Sequence, residues 1–542
     1  METLKGRPLG EFHEALRDYL DKKISETEFK NRRTLWGLHR SLDGSFMLRF
    51  RFGAGGLTAF QARQVSRFIR RWVPSGRAHI TTRRNLQVYD IALESMGKAL
   101  EDANWGELST YQAGGAVVRS LAMCERAGYC LDQVADPRPL SIALEEWLEN
   151  NAMALPRKVK VAFSGCGRDC AFTIAHDFGL VAVRNAQGEL GYRFLVGGGL
   201  GSQPHLAKEM EAFVPEKEAG PLLVAAIMAF RKLGAGRPRV KARLKFLLDE
   251  IGVEPFRKAV YETKASNFPK PRPIQPEWDD AAQCCSDGGQ GDFLKWKKSN
   301  VLPTLYPQRF SVNVRVAGGW VTGQQLELLA EMADFFSNGR FNLTSEQDIL
   351  FPAVSGAALL SIYKRLHIVG LDGNGAGQIV DFTSCPGKDH CRGAQGYDLA
   401  SDLEGPLEEA AGKLPEEALG GTVKVSGCLN QCGRSALASL GLAGDWKQDD
   451  EGPKRIVHLF LGGGVYEKGS RMARYMGWLP LEQLGPFLRG FSKDFGEQRK
   501  ESETFRDYCL RVSEDLSLLP EKGFVQRGKP SGQGGFQFEG EC

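Results

Sequence analysis

The chain has 542 residues, 42% apolar and 25% charged, with 64 Gly and 25 Pro; this balance excludes collagenous and disordered classes and, at about 150 residues per domain, predicts three to four domains. Its 70 basic and 66 acidic residues leave a net charge of +4, too even for a nucleic-acid binder, which concentrates Lys and Arg more strongly. The unusual feature is the set of 12 cysteines.

Met1 to Lys23 alternates charged and apolar residues with no apolar stretch behind a basic start, so no secretory signal and a cytoplasmic location are expected. Phe46 to Phe52 alternates and runs into Gly53–Gly56, predicting a strand and a turn; Leu57–Trp72 has helical periodicity, and Leu86–Ile91 reads as a second strand. Val159–Phe163 and Val423–Val425 are short apolar strands, each delivering a Ser-Gly-Cys turn. The apolar run Pro221–Phe230 is far short of the roughly 20 residues a bilayer requires, so no membrane span is expected. Asn267–Asn300, with four prolines before Trp278, reads as a linker. The Gly-rich tail Glu521–Cys542 reads as disordered or partner-docking.

Eight cysteines form one frame twice. Cys124-x5-Cys130 followed by Cys166-x3-Cys170 recurs, 261 or 262 residues later, as Cys385-x5-Cys391 followed by Cys428-x3-Cys432. Ser164-Gly165-Cys166 returns as Ser426-Gly427-Cys428, the triplet Gly197–Gly199 as Gly462–Gly464, and His79–Leu86 as Phe341–Ile349, which is an internal duplication. Spaced cysteines in a reducing compartment point to metal, cluster or catalysis rather than disulfides. Four thiolates can hold zinc or a [4Fe-4S] cluster, and the x5 spacing fits the C-x2–4-C knuckles of zinc poorly. Cys284, Cys285, Cys509 and Cys542 have no partner pattern and read as structural or incidental.

The order C-x5-C then C-x3-C, with Gly427-Cys428-Leu429-Asn430-Gln431-Cys432-Gly433-Arg434, Met47-Leu48-Arg49, Thr81-Thr82-Arg83, Leu155-Pro156-Arg157-Lys158 and the glycine triplets, resembles the siroheme- and [4Fe-4S]-dependent sulfite and nitrite reductases over nearly the whole chain. The resemblance implies an α+β (α/β) fold, internally duplicated and pseudo-twofold, each repeat pairing a ferredoxin-like half with a siroheme- and cluster-type half. The expected boundaries are an extension 1–40, ferredoxin-like half 41–110, cluster-type domain 111–266, linker 267–300, second ferredoxin-like half 301–370, second cluster-binding domain 371–510 and tail 511–542.

It further implies a [4Fe-4S] cluster on Cys385, Cys391, Cys428 and Cys432, with Cys432 bridging to siroheme. Arg49, Arg119, Lys158 and Lys160 would face the substrate, and Thr81, Arg83 and Gln87 the siroheme. Such cations suit an anion and the siroheme carboxylates, and alternation places Lys158 and Lys160 on one face. In the second half, Arg49 becomes Asn313, Arg83 becomes Glu346, Arg119 a hydroxyl residue near Thr383, and the lysine positions Gly420 and Thr422; the anion pocket is expected in the first half alone. The intact quartet Cys124, Cys130, Cys166 and Cys170 departs from the usual assimilatory pattern and is a candidate second cluster, without a second siroheme.

Nitrite-reducing relatives often carry Asn where Lys160 stands, so sulfite is expected first and nitrite second, each by a six-electron reduction. Lacking a nucleotide, flavin or ferredoxin motif, the chain is expected to draw electrons from ferredoxin or a flavoprotein subunit. A precorrin-3B synthase-like enzyme and a non-catalytic electron-transfer iron–sulfur protein remain the rival readings.

Overall fold

The computed structural model describes residues 9–54, 56–263, 267–275, 291–387, 390–391, 399–449 and 452–515. These form two compact units, the first of Met1–Gly199, His205–Val314 and Trp320–Asp372, the second of Leu200–Pro204, Arg315–Gly319 and Gly373–Cys542.

The first unit contains strands β1 (Leu38–Arg40), β2 (Phe46–Phe50), β3 (Leu57–Thr58), β4 (Arg77–Ile80), β5 (Leu86–Ile91), β6 (Ala122–Met123), β7 (Val161–Ser164), β8 (Phe178–Arg184), β9 (Leu190–Val196), β10 (Lys208–Pro215), β11 (Val301–Pro303), β12 (Arg309–Val314), β13 (Trp320–Thr322), β14 (Arg340–Leu343) and β15 (Ile349–Ser355). Two antiparallel sheets, β1-β2-β5-β4-β13 and β11-β12-β15-β14-β3, repeat one pattern. Each half lends a short strand to the other: β13 pairs with β4 and β3 pairs with β14. The exchange is fastened by matching side chains, Arg84 Nε donating to Leu343 O at 2.7 Å and Gln347 Nε2 to Ile80 O at 2.6 Å. The helices that follow the lent strands, Ala59–Trp72 and Gly323–Phe336, both begin with a capping box, Thr58/Gln61 and Thr322/Gln325, which satisfies otherwise orphaned amide donors. Phe50 of β2 packs edge-on against Phe68 of the first helix. Because side chains alternate along a strand, Arg49 is thereby placed on the opposite face.

The third sheet, β10-β9-β8-β7-β6, is parallel across β6, β7 and β8 and antiparallel beyond. Its apolar face is covered by helices Arg138–Asn150 and Glu216–Leu233, with Leu144, Phe163, Phe194 and Phe230 fully buried. The run Pro221–Phe230 lies inside that second helix as core. No helix among the described residues is long and apolar enough to cross a membrane.

The second unit repeats this design in β16 (Thr383–Ser384), β17 (Val423–Ser426), β18 (Leu440–Asp449), β19 (Gly452–Leu461), β20 (Gly464–Tyr466), β21 (Gly469–Arg471) and β22 (Arg474–Pro480). The sheet order is β16-β17-β18-β19-β22, with β16, β17 and β18 parallel. The glycine triplets do the same job twice. A Cβ on Gly198 would lie 2.4 Å from Ile174 O, and one on Gly463 would lie 2.9 Å from Ala438 O, so only glycine lets the chain approach the short helical turns Thr173–Ala175 and Ser435–Leu437 that follow the cysteine loops.

This is an α+β fold with a duplicated plan. Some details differ from expectation. The end of the expected linker is helical, Asp292–Asn300, because Phe293 and Trp296 fall on one face and are buried; Cys284 and Cys285 lie outside the described residues, as does Cys542. Residues 38–40, placed in the extension, form an edge strand of the first sheet.

Candidate functional site

In the second unit, β16 and β17 end side by side and present the turns that carry the quartet, with Cys385 N donating to Val425 O at 3.3 Å. Gly427 N donates to Cys385 Sγ at 3.1 Å, the Gly387 amide also donates to Cys385, and the Asn430 amide donates to Cys428. Burial, reinforced by Cys432 and Cys391, pushes the Cys385 thiol up to about 12. Cys428 is raised by burial and by the same neighbours together with Cys385. Cys432 is the exposed member.

The first unit builds the same arrangement at the ends of β6 and β7. Cys124 N donates to Phe163 O at 3.4 Å, the Arg126 amide donates to Cys124 and the Arg168 amide to Cys166. Cys124, Cys130, Cys166 and Cys170 together line a cavity of about 80 Å³. None of the nine described cysteines forms a disulfide.

Among the described residues no three His, Cys, Asp or Glu side chains are disposed to hold a single metal ion. The first quartet lines one cavity and the thiols of the second act on one another; the thiolates of a cubane bind different irons, whereas zinc draws sulfur to about 2.3 Å of one centre. Buried thiols that resist ionisation and receive backbone N–H donors fit a cationic iron–sulfur core, which binds the thiolate and is tuned by such donors.

The expected cations of the first half gather in one cluster. Arg49 and Arg119 both donate to the carbonyl of Ala113, Arg49 Nη1 at 2.8 Å. Gln87, across the strand pair from Arg49, accepts from Arg49 Nη2 at 2.7 Å in the amide orientation that also lets its Nε2 donate to Tyr89 Oη at 3.1 Å. Thr81 Oγ1 accepts from the amides of Arg83 and Asn85 at 3.3 and 3.2 Å, which shapes the turn that carries Arg83. Val159 is fully buried and bridges to Val118, so alternation turns Lys158 and Lys160 together to its other side. Burial, then Arg83 and Arg49, depresses the Arg119 guanidinium well below its usual value; burial, then Arg243, Arg83 and Lys158, does the same to Lys160, against Asp177. Asp177, fully buried, accepts from Lys160 N at 2.9 Å and from Arg243 Nη2 at 2.9 Å.

Sequence reading did not single out His39, which belongs to this cluster. It is 5% exposed on β1, neither ring nitrogen has a hydrogen-bond partner, and burial with Arg49 and Arg119 holds its imidazole well below the ordinary range. Arg119 Nε is likewise buried without a partner. Orphaned buried donors beside crowded cations mark a place that an anionic group completes. The counterpart reading of the second half needs one correction. Strand pairing sets Thr383 against Lys424 as Ala122 is set against Ala162, so Arg119 corresponds to Val380 rather than to Thr383. The second half also keeps buried cations elsewhere, Lys424, with Nζ 3.5 Å from Thr383 Oγ1, and Arg434.

Residues 114–268 match the family model "Nitrite and sulphite reductase 4Fe-4S domain", and residues 39–104 and 306–368 match "Nitrite/Sulfite reductase ferredoxin-like half domain". The chain belongs to the nitrite and sulfite reductase family. Its members are oxidoreductases that carry siroheme and a [4Fe-4S] cluster. Among similar proteins is a sulfite reductase [ferredoxin] of Mycobacterium tuberculosis, 27% identical over 91% of this chain and 90% of that one. Another is a ferredoxin–nitrite reductase of Synechococcus elongatus, 28% identical over 82% of this chain and 85% of that one. The solved structure of the Mycobacterium tuberculosis NirA protein aligns with a TM-score of 0.74 at 25% identity, covering 94% of this chain and 96% of that one.

Proposed function

We propose that this chain reduces sulfite to sulfide: Cys385, Cys391, Cys428 and Cys432 would hold a [4Fe-4S] cluster, and Cys432 would also serve the siroheme. The exposure of Cys432 supports that second role, since an outward thiolate could reach a group beyond the cluster. When bound, the cofactor pair supplies electrons one at a time. The rest falls to the chain's own residues. Arg49 and Arg119, anchored on one carbonyl, present rigid guanidinium donors to the oxygens of an oxyanion. Lys158 and Lys160 add compact charges on one face. Because burial holds Lys160 below its usual range, its Nζ gives a proton to a departing oxygen more readily than an exposed ammonium would. Thr81, Arg83 and Gln87 would serve the siroheme carboxylates, Gln87 also steadying Arg49.

The observation that carries sulfite over nitrite is the pair Lys158 and Lys160: a doubly charged anion gains more from a second ammonium than a singly charged one. The ferredoxin named in several relatives supports a ferredoxin-type donor. Steady-state kinetics with both anions and reduced ferredoxin test the reading. The expected result is a higher kcat/KM for sulfite; a clear preference for nitrite assigns the site to ammonia formation instead.

A further inference from the structure

The two quartets share a local hydrogen-bond pattern. The amide two residues beyond the first cysteine donates to it in both, Arg126 to Cys124 and Gly387 to Cys385. The amide two residues beyond the third does the same, Arg168 to Cys166 and Asn430 to Cys428. The first cysteine donates its own amide to the neighbouring strand at equivalent residues, Phe163 and Val425. The chain tightens after the third cysteine at Asp169 N to Cys166 O, 3.2 Å, and at Gln431 N to Cys428 O, 3.1 Å.

They differ at the fourth cysteine. Cys432 is exposed, whereas Cys170 turns inward, is partly buried and accepts a hydrogen bond from the Cys124 thiol. Around the first quartet, Arg168 is tied to Asp132 at 2.5 Å, and Arg84 is buried near Glu125 and Cys124. We infer that Cys124, Cys130, Cys166 and Cys170 hold a second [4Fe-4S] cluster that is self-contained: all four thiolates are terminal ligands, and none bridges to a macrocycle. Such a cluster accepts one electron from an external reductant without making or breaking a bond, and Arg84 and Arg168 are the cations set to balance the added charge.

The structural match between the quartets carries this inference independently of which anion is reduced. The test uses anaerobically purified full-length protein. Iron and acid-labile sulfide are counted and metals identified in wild type, in Cys385→Ser/Cys428→Ser and in Cys130→Ser/Cys166→Ser. About eight non-haem irons are expected in wild type and about four in each variant, a twofold drop. After dithionite reduction, Cys385→Ser/Cys428→Ser should keep an uncoupled cubane EPR signal, and Cys130→Ser/Cys166→Ser should keep its siroheme absorbance. About four irons in wild type that survive in Cys130→Ser/Cys166→Ser, an iron-free Cys385→Ser/Cys428→Ser protein, or about one zinc in place of iron each overturns the assignment. A wild-type count of about eight supports it even where a variant does not fold.

Discussion

Lys160 shows how a single residue acquires chemistry from its surroundings. An exposed lysine stays charged far above neutrality, but this one is desolvated beside Arg243, Arg83 and Lys158, so its ammonium is lost more readily than an exposed one. An arriving oxyanion favours the ammonium and draws a proton back. As pH rises through the depressed value, that ammonium disappears and binding weakens. KM for sulfite is therefore expected to rise with pH in wild type and to rise less in Lys160→Asn, whose kcat/KM should be about 10- to 100-fold lower at neutral pH with siroheme absorbance unchanged. Parallel pH profiles for the two proteins would remove the role. Lysine spacing and alternation were legible in the sequence, as were Arg49 and Arg119 as candidates through the family resemblance. His39 was not, because a histidine between Leu38 and Arg40 carries no local signal; only its burial against the guanidinium cluster does.

Among the elements, the lent strands are the most consequential. β13 is three residues long and β3 two, too short to be stable alone, and each gains its ladder only in the other half's sheet. Val321, fully buried in β13 opposite Ala78, belongs by sequence to the second half and by packing to the first. Val321→Ala is expected to cost about 2 kcal/mol in urea unfolding and to speed hydrogen exchange at Ala78 and Ile80; exchange accelerated only within β14 and β15 would contradict it. The helix Ala59–Trp72 matched its periodicity, apart from Leu57 and Thr58, which go to β3. A two-residue strand followed by a capped helix reads as continuous helix, because the deciding hydrogen bonds come from a strand that lies far along the chain.

At the scale of the molecule, each compact unit carries its own apolar core and its own cysteine quartet, so stability should be lost in more than one step. Calorimetry is expected to show at least two transitions, with Cys385→Ser/Cys428→Ser lowering one by about 5 °C or more and leaving another in place, since a metal site stabilises the fold that presents it. A single transition shifted as a whole would show that the units unfold together. By itself the sequence determined the duplication, the two quartets, the glycine triplets and the family, because each is a spacing or a residue type required by local geometry. Tertiary structure alone decided that the halves exchange strands, that Cys170 turns inward while Cys432 faces out, and that His39, Lys424 and Arg434 are buried. Those outcomes depend on contacts between residues far apart in the chain, and the burial of a lone polar side chain by such contacts, unlike that of an apolar stripe, leaves no periodic trace in the sequence.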